Sequence, residues 1–128
     1  MTKITYQTIA GKLACKNQLD AFRALFGESV DITPELCVTH AFAFDWDWAG
    51  DNLLSPTALA EYDRASASAR AEHQRAGASA RATALAEHQR GAAALAWAEY
   101  NRARATAWAE YNRARATAWA NAYINDTL

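Results

Sequence analysis

Between Tyr62 and Ala84 the small and aromatic residues of this chain return in steps of three, four and four: Tyr62, Ala65, Ala69, His73, Ala76, Ala80 and Ala84. The same steps recur in Tyr100, Ala103, Ala107, Tyr111, Ala114, Ala118 and Ala122, and residues 98–108 (AEYNRARATAW) are repeated letter for letter by residues 109–119. Three turns of α-helix take about 10.8 residues, so an eleven-residue repeat brings each residue type back to nearly the same face, drifting by roughly 20° per repeat. The pattern predicts an alanine-rich helical seam with straight or slightly right-handed supercoiling. Opposite it runs a polar line, Glu99, Arg102, Thr106, Glu110, Arg113 and Thr117, with Glu99–Arg102 and Glu110–Arg113 spaced as i,i+3 pairs. A third line, Trp97, Arg104, Trp108, Arg115 and Trp119, flanks the seam, and an arginine four residues before a tryptophan is placed to lay its guanidinium on the indole. Such tryptophans would stand in water on a lone helix. The spacing therefore calls for helix association, alanine allowing close approach and tryptophan closing the flank. The residues expected at an interface between copies are Tyr62, His73, His88, Trp97, Tyr100, Ala103, Arg104, Ala107, Trp108, Tyr111, Ala114, Ala118 and Trp119.

The register fails between Ala80 and Tyr100, where five successive steps of four would swing the seam of a straight helix by about 200°. The segment AEHQR at 71–75 returns at 86–90, the next AEY starts at 98, and Gly91 lies inside the discontinuity. The favoured arrangement is one continuous helix of about 68 residues, about 100 Å long, that absorbs the slip locally. The alternative is an antiparallel hairpin turning near Arg90 and Gly91. Gly91 suits a helix C-terminus, although no Pro, Asn, Asp or Ser follows to start a new helix.

Ahead of the tail, residues 1–55 read as a small helical head. Ile4, Tyr6 and Ile9 alternate loosely, as in a short strand with nothing obvious to pair with. Leu19, Phe22, Leu25 and Phe26 fall at three- and four-residue spacings, which predicts an amphipathic helix over 14–26 closed by Gly27. Thr33, Pro34 and Glu35 supply a cap, a first-turn proline and a first-turn acid for a second helix through Leu36, Cys37, Ala41 and Phe42. Asp45 caps a third over 45–54, and Ser55-Pro56 opens the tail helix by the same logic. The fold class expected is all-α: head 1–55, hendecad-repeat tail 56–124, and a short end 125–128.

Composition fits this picture. The hydrophobic share of 52% is largely alanine, which buries little area per residue and suits closely packed helices better than a thick core. Four basic residues against seven acids give residues 1–56 a net charge of −3, and nine arginines against seven acids give 57–128 a net charge of +2, together the −1 of the whole chain. Neither half carries the basic excess that nucleic-acid binding usually needs. Cys15 and Cys37 match no zinc spacing and read as buried free thiols in a reduced, cytoplasmic setting. No apolar run reaches the 18 residues of a membrane span.

Candidate chemistry is sparse. The cluster Phe42, Phe44, Asp45, Trp46, Asp47 and Trp48 resembles a carbohydrate- or cation-binding face, but a head this small needs those aromatics for its core. Asp45, Asp47 and Asp51 do not follow the EF-hand loop, and His40 reads as an ordinary helix residue. His73 and His88 stand where neighbouring repeats have Tyr; a ring of imidazoles in a bundle is one reading, substitution at a tolerant seam position the better one. No P-loop, GxGxxG, HExxH or supported nucleophile triad occurs, so no catalytic, cofactor or metal residues are assigned.

Ala14, Cys15, Gln18, Phe22, Phe26 and Gly27, the F-D-W-x-W-A…N-L-L-S stretch at 44–55, and the tandem A-x-A-E-Y-x-R repeats resemble a set of small tailed-phage proteins of unknown function. Several of the proteins it resembles carry proline in each repeat where this chain has Thr or Ser, which makes continuous helix easier here. The resemblance implies phage or prophage origin and brings no catalytic residues. The expectation is a nonenzymatic, self-associating coiled-coil scaffold, with a second copy as main partner and a host or phage protein as another. The alternative is a module binding a host protein or nucleic acid through its Arg/Trp/Tyr face; Glu99 and Glu110 dilute that field, so nucleic acid is not expected.

Overall fold

A computed structural model describes residues 3–126. The chain runs β1 (Lys3–Thr5), α1 (Tyr6–Gly11), α2 (Lys16–Phe26), β2 (Ser29–Asp31), α3 (Pro34–Thr39), α4 (Trp46–Leu53), α5 (Pro56–Gln89) and α6 (Ala93–Asp126). The all-α class holds, with one small sheet added. The segment around Ile4 does find a partner: β1 pairs antiparallel with β2, Ile4 opposite Val30. A three-residue Ser-Val-Asp strand carries no alternation of its own and is invisible without its mate.

The helix starts follow from side-chain oxygens that satisfy first-turn N–H groups. Thr5, Thr33, Asp45 and Ser55 accept from the N–H groups of Thr8, Leu36, Trp48 and Ala58, with Pro34 and Pro56 in the first turns of α3 and α5. Gly27 ends α2 at φ +71°, its N–H bonded to the Arg23 carbonyl. Gln18 ties down the loop before α4, its Nε2 donating to the Ala43 carbonyl (3.3 Å) and its Oε1 accepting from the Asp45 N–H (2.8 Å).

The tail is a hairpin, which corrects the expectation of one continuous helix. Two 34-residue helices, each about 51 Å long, meet at Arg90–Gly91–Ala92 and pack antiparallel along their length. Gly91 sits at φ +85°, its N–H bonded to the His88 carbonyl (3.0 Å), while the Ala92 N–H reaches back to the Glu87 carbonyl (3.1 Å). That pair of bonds is the Schellman closure, and it needs a residue that tolerates the left-handed region. The register slip is thereby explained: the two repeat arrays are separate stripes on two helices that face each other, so no single stripe has to survive the swing.

The core is continuous from the head into the base of the hairpin. Ile4, Ile9, Phe22, Ile32, Cys37 and Trp46 cluster with Tyr62, Ala116, Trp119, Ala120 and Ala122. The Trp46 indole donates to the Ala41 carbonyl (2.9 Å). The end of α6 is clamped to the start of α5 by Asp126, which accepts from both the Ser55 N–H and the Ser55 hydroxyl. Those bonds hold its carboxyl below the ordinary range. Packing thins toward the tip: beyond Ser66, among the described residues, α5 buries nothing, and the distal half of α6 buries only Ala96 and Ala107.

Candidate interaction surface

At the base of the hairpin, Tyr62, Asp47 and Arg115 form one polar cluster. The Tyr62 hydroxyl donates to Asp47 Oδ1 (3.0 Å), and Arg115 Nη2 lies 2.8 Å from Asp47 Oδ2. Burial pushes the Tyr62 hydroxyl above its ordinary pKa, so it stays a neutral donor. This cluster pins α4 to both long helices, joining a neutral phenol to a paired carboxylate and guanidinium. The hollow in the head core holds only about 60 Å³ between residues such as Phe22, Trp46 and Trp119.

The distal arm is different, because it exposes large apolar side chains. Trp97 is 65% and Trp108 51% exposed, and Leu85 and Leu95 are more than half exposed. The His73 ring stacks on Tyr111 (centroids 5.2 Å apart) and meets Trp108 edge-on at 5.8 Å, so these rings fix Trp108 at the rim of the seam. Trp97 leans on Tyr100 at 6.1 Å.

The hairpin carries a groove on each flank of its seam, and the two differ in charge. One is lined by Arg81, Tyr100, Asn101, Arg104 and Trp108 and runs on toward the tip past Leu85, His88 and Trp97. Among the described residues no Asp or Glu lines it. The other flank holds two hollows, one walled by Glu87, Ala96, Glu99 and Ala103, the next by Glu72, Ala107, Glu110 and Ala114. On α6 the walls of the second are those of the first moved by one eleven-residue repeat. Glu87 and Glu99 both wall the first hollow; burial and then this neighbour raise the Glu87 carboxyl above its ordinary range.

The expected interface residues divide accordingly. Trp97, Arg104 and Trp108 lie on the tryptophan-bearing flank, His88 is exposed near the tip, and Ala103 and Ala114 are exposed on the walls of the hollows. His73, Tyr100, Ala107 and Tyr111 fill the intramolecular seam, and Ala118 packs on the core. Tyr62 and Trp119, each 2% exposed, are buried within their own chain and are not available to another copy. Arg104 and Arg115 also depart from expectation. Each lies over the tyrosine four residues before it, Tyr100 at 5.5 Å and Tyr111 at 5.2 Å, because helical side chains lean toward the N-terminus. The i,i+3 pairs of Glu99 with Arg102 and Glu110 with Arg113 do not close to salt-bridge distance.

Arg81, Leu85, Glu72 and Glu87 belong to these surfaces and were not among the expected residues. Their repeat positions were visible, but their neighbours on α6 are set only once the chain folds back at Gly91. Cys15 is exposed, against the expectation that both thiols are buried, whereas burial pushes the Cys37 thiol up to about 12. No helix among the described residues is long and apolar enough to cross a membrane. Comparison of the chain with protein-family models, curated proteins and solved structures gives no match.

Proposed function

We propose that this chain is a nonenzymatic, self-associating scaffold whose head anchors a helical hairpin and whose distal arm is the contact surface. The observation that carries the reading lies in the repeats themselves. Trp97, Trp108 and Trp119 occupy one position of three successive units, and where a partner surface exists, at Trp119 against the head, that position is fully buried. The other two indoles present the same side chain with half or more of its surface left uncovered by their own chain. Burying a large apolar side chain is worth about 1.5–3 kcal/mol, so two indoles left half exposed or more on one flank favour a partner that covers them. A phage-encoded assembly protein working in an infected bacterial cell is the setting that the sequence resemblance suggests. Sedimentation velocity of the full chain across a hundredfold concentration range, with a Trp97→Ala/Trp108→Ala variant beside it, tests the proposal. A wild type that remains monomeric throughout removes it.

A second reading takes the same flank as a platform for single-stranded nucleic acid, bases stacking on Trp97 and Trp108 beside Arg81 and Arg104. It is favoured by the absence of carboxylates among the residues lining that flank. Fluorescence anisotropy with a labelled oligonucleotide at low ionic strength decides it: binding that weakens steeply with salt supports it, and no binding ends it.

A further inference from the structure

Resting on the self-association reading, we propose that copies of this chain join front to back, the tryptophan flank of one hairpin seating in the glutamate flank of the next. Three independent features match. The first is spacing: Trp97 and Trp108 stand eleven residues apart on α6, about 16.5 Å along a helix, and the two hollows on the other flank repeat at the same eleven-residue interval. The second is shape. The projecting groups are half-exposed indoles, while the hollows, of about 210 and 450 Å³, are walled on α6 by Ala96 and Ala103 and by Ala107 and Ala114.

The third feature is charge. Arg81 and Arg104 lie on the flank without acids; each hollow brings two glutamates, Glu87 with Glu99 and Glu72 with Glu110, with one arginine beside each pair, Arg90 near Glu87 and Arg75 on the wall of the second hollow. A symmetric dimer would set arginines against arginines on one flank, or glutamates against glutamates on the other, and like charges brought together in an interface are costly. Front-to-back contact pairs opposite charges instead. It also seats large groups into gaps between small ones.

Such a contact uses two different patches, so it is heterologous and each added copy leaves both patches free at the ends. Unless the rotation between copies closes a ring, the product is an open stack whose length grows with concentration. Adding or losing one repeat changes the arm's length by one indole and one hollow together, which keeps the two flanks complementary.

The test uses two variants of the full chain, each checked for native helicity and melting. Trp97→Ser/Trp108→Ser removes the projecting indoles and keeps the hollows; Ala103→Arg/Ala114→Arg fills the hollows and keeps the indoles. Wild type is expected to form species that grow beyond a dimer and shrink as salt rises. Each variant alone is expected to associate at least tenfold more weakly, and an equimolar mixture to form a two-chain complex that grows no further. If the hollow-filled variant associates like wild type while the indole-less one does not, self-association stands and the front-to-back arrangement falls. A wild type that stops at a closed dimer likewise overturns the arrangement alone, and a monomeric wild type overturns both.

Discussion

Trp119 and Trp46 meet with ring centroids 5.7 Å apart, joining the last repeat of α6 to the first turn of α4. Trp119 also stacks on Tyr123 at 5.1 Å, so one indole ties the hairpin to the head and closes the end of its own helix. Replacing it by alanine removes the largest side chain shared by the two parts. Trp119→Ala is expected to cost about 3–5 kcal/mol in chemical denaturation, as buried aromatic truncations do. Trp108→Ala, at the equivalent position one repeat earlier and half exposed, is expected to cost about 1 kcal/mol at concentrations low enough to keep the chain monomeric. Equal losses for the two would mean that the repeat, and not the head, sets the energetics.

The hairpin turn makes a second expectation. An ideal Cβ at Gly91 meets nothing within 4 Å, so Gly91→Ala adds no clash and its cost is the left-handed backbone alone, about 1–2 kcal/mol. Gly77, inside α5, also has open space around its missing Cβ, but its backbone is helical. Gly77→Ala is expected to stabilise by about 0.5–1 kcal/mol. Thermal melts followed by circular dichroism measure both, and opposite signs are required.

Those two glycines also show where sequence reasoning stops. Local signals fixed the caps at Thr33, Asp45 and Ser55 and the close of α2 at Gly27, because each is a contact within one turn of helix. Gly91 gave the same kind of signal, but whether a chain bends there depends on what two distant stripes gain by meeting, and that sum is spread over residues 62–87 and 96–119. The stripes themselves were legible as 3-4-4 spacings. Their partner was not: the seam meant for another copy is filled by the chain's own return strand of helix, leaving Trp97 and Trp108 on a flank while Tyr62 and Trp119 turn inward. The segregation of glutamates from tryptophans was hidden for the same reason, since Glu87 meets Glu99, and Arg81 shares a groove with Arg104, only across the hairpin.

The thiols provide a test that is independent of association. Cys15 lies exposed at the start of α2, whereas Cys37 is buried in the core with its thiol pushed up to about 12. The thiolate is the reacting species, so burial slows Cys37 twice, through access and through ionisation. A thiol reagent at pH 8 is expected to label one cysteine quickly and the second only in denaturant. Peptide mapping should place the fast label on Cys15; rapid labelling of Cys37 in the native protein would contradict the packing of α3.

Glu87 gives the hairpin tip a pH dependence of predictable sign. Burial, and then Glu99 across the hollow, raise its carboxyl in the folded chain above the value near 4.5 that it has when unfolded. A folded chain that holds the proton more tightly is stabilised by protonation, so the contribution is fully present below about pH 4.5 and is lost as pH rises through the raised folded value. Neutral pH therefore leaves two carboxylates opposed, with Arg90 as the nearby cation that offsets them. Glu87→Gln keeps a hydrogen-bonding side chain in the hollow and removes the charge. It is expected to melt higher than wild type at pH 7.5 and to show a smaller gain on going to pH 5. Hydrogen exchange localises the effect: slower exchange in the variant at pH 7.5 should be confined to amides flanking the turn at Gly91, while exchange around Trp119 stays unchanged.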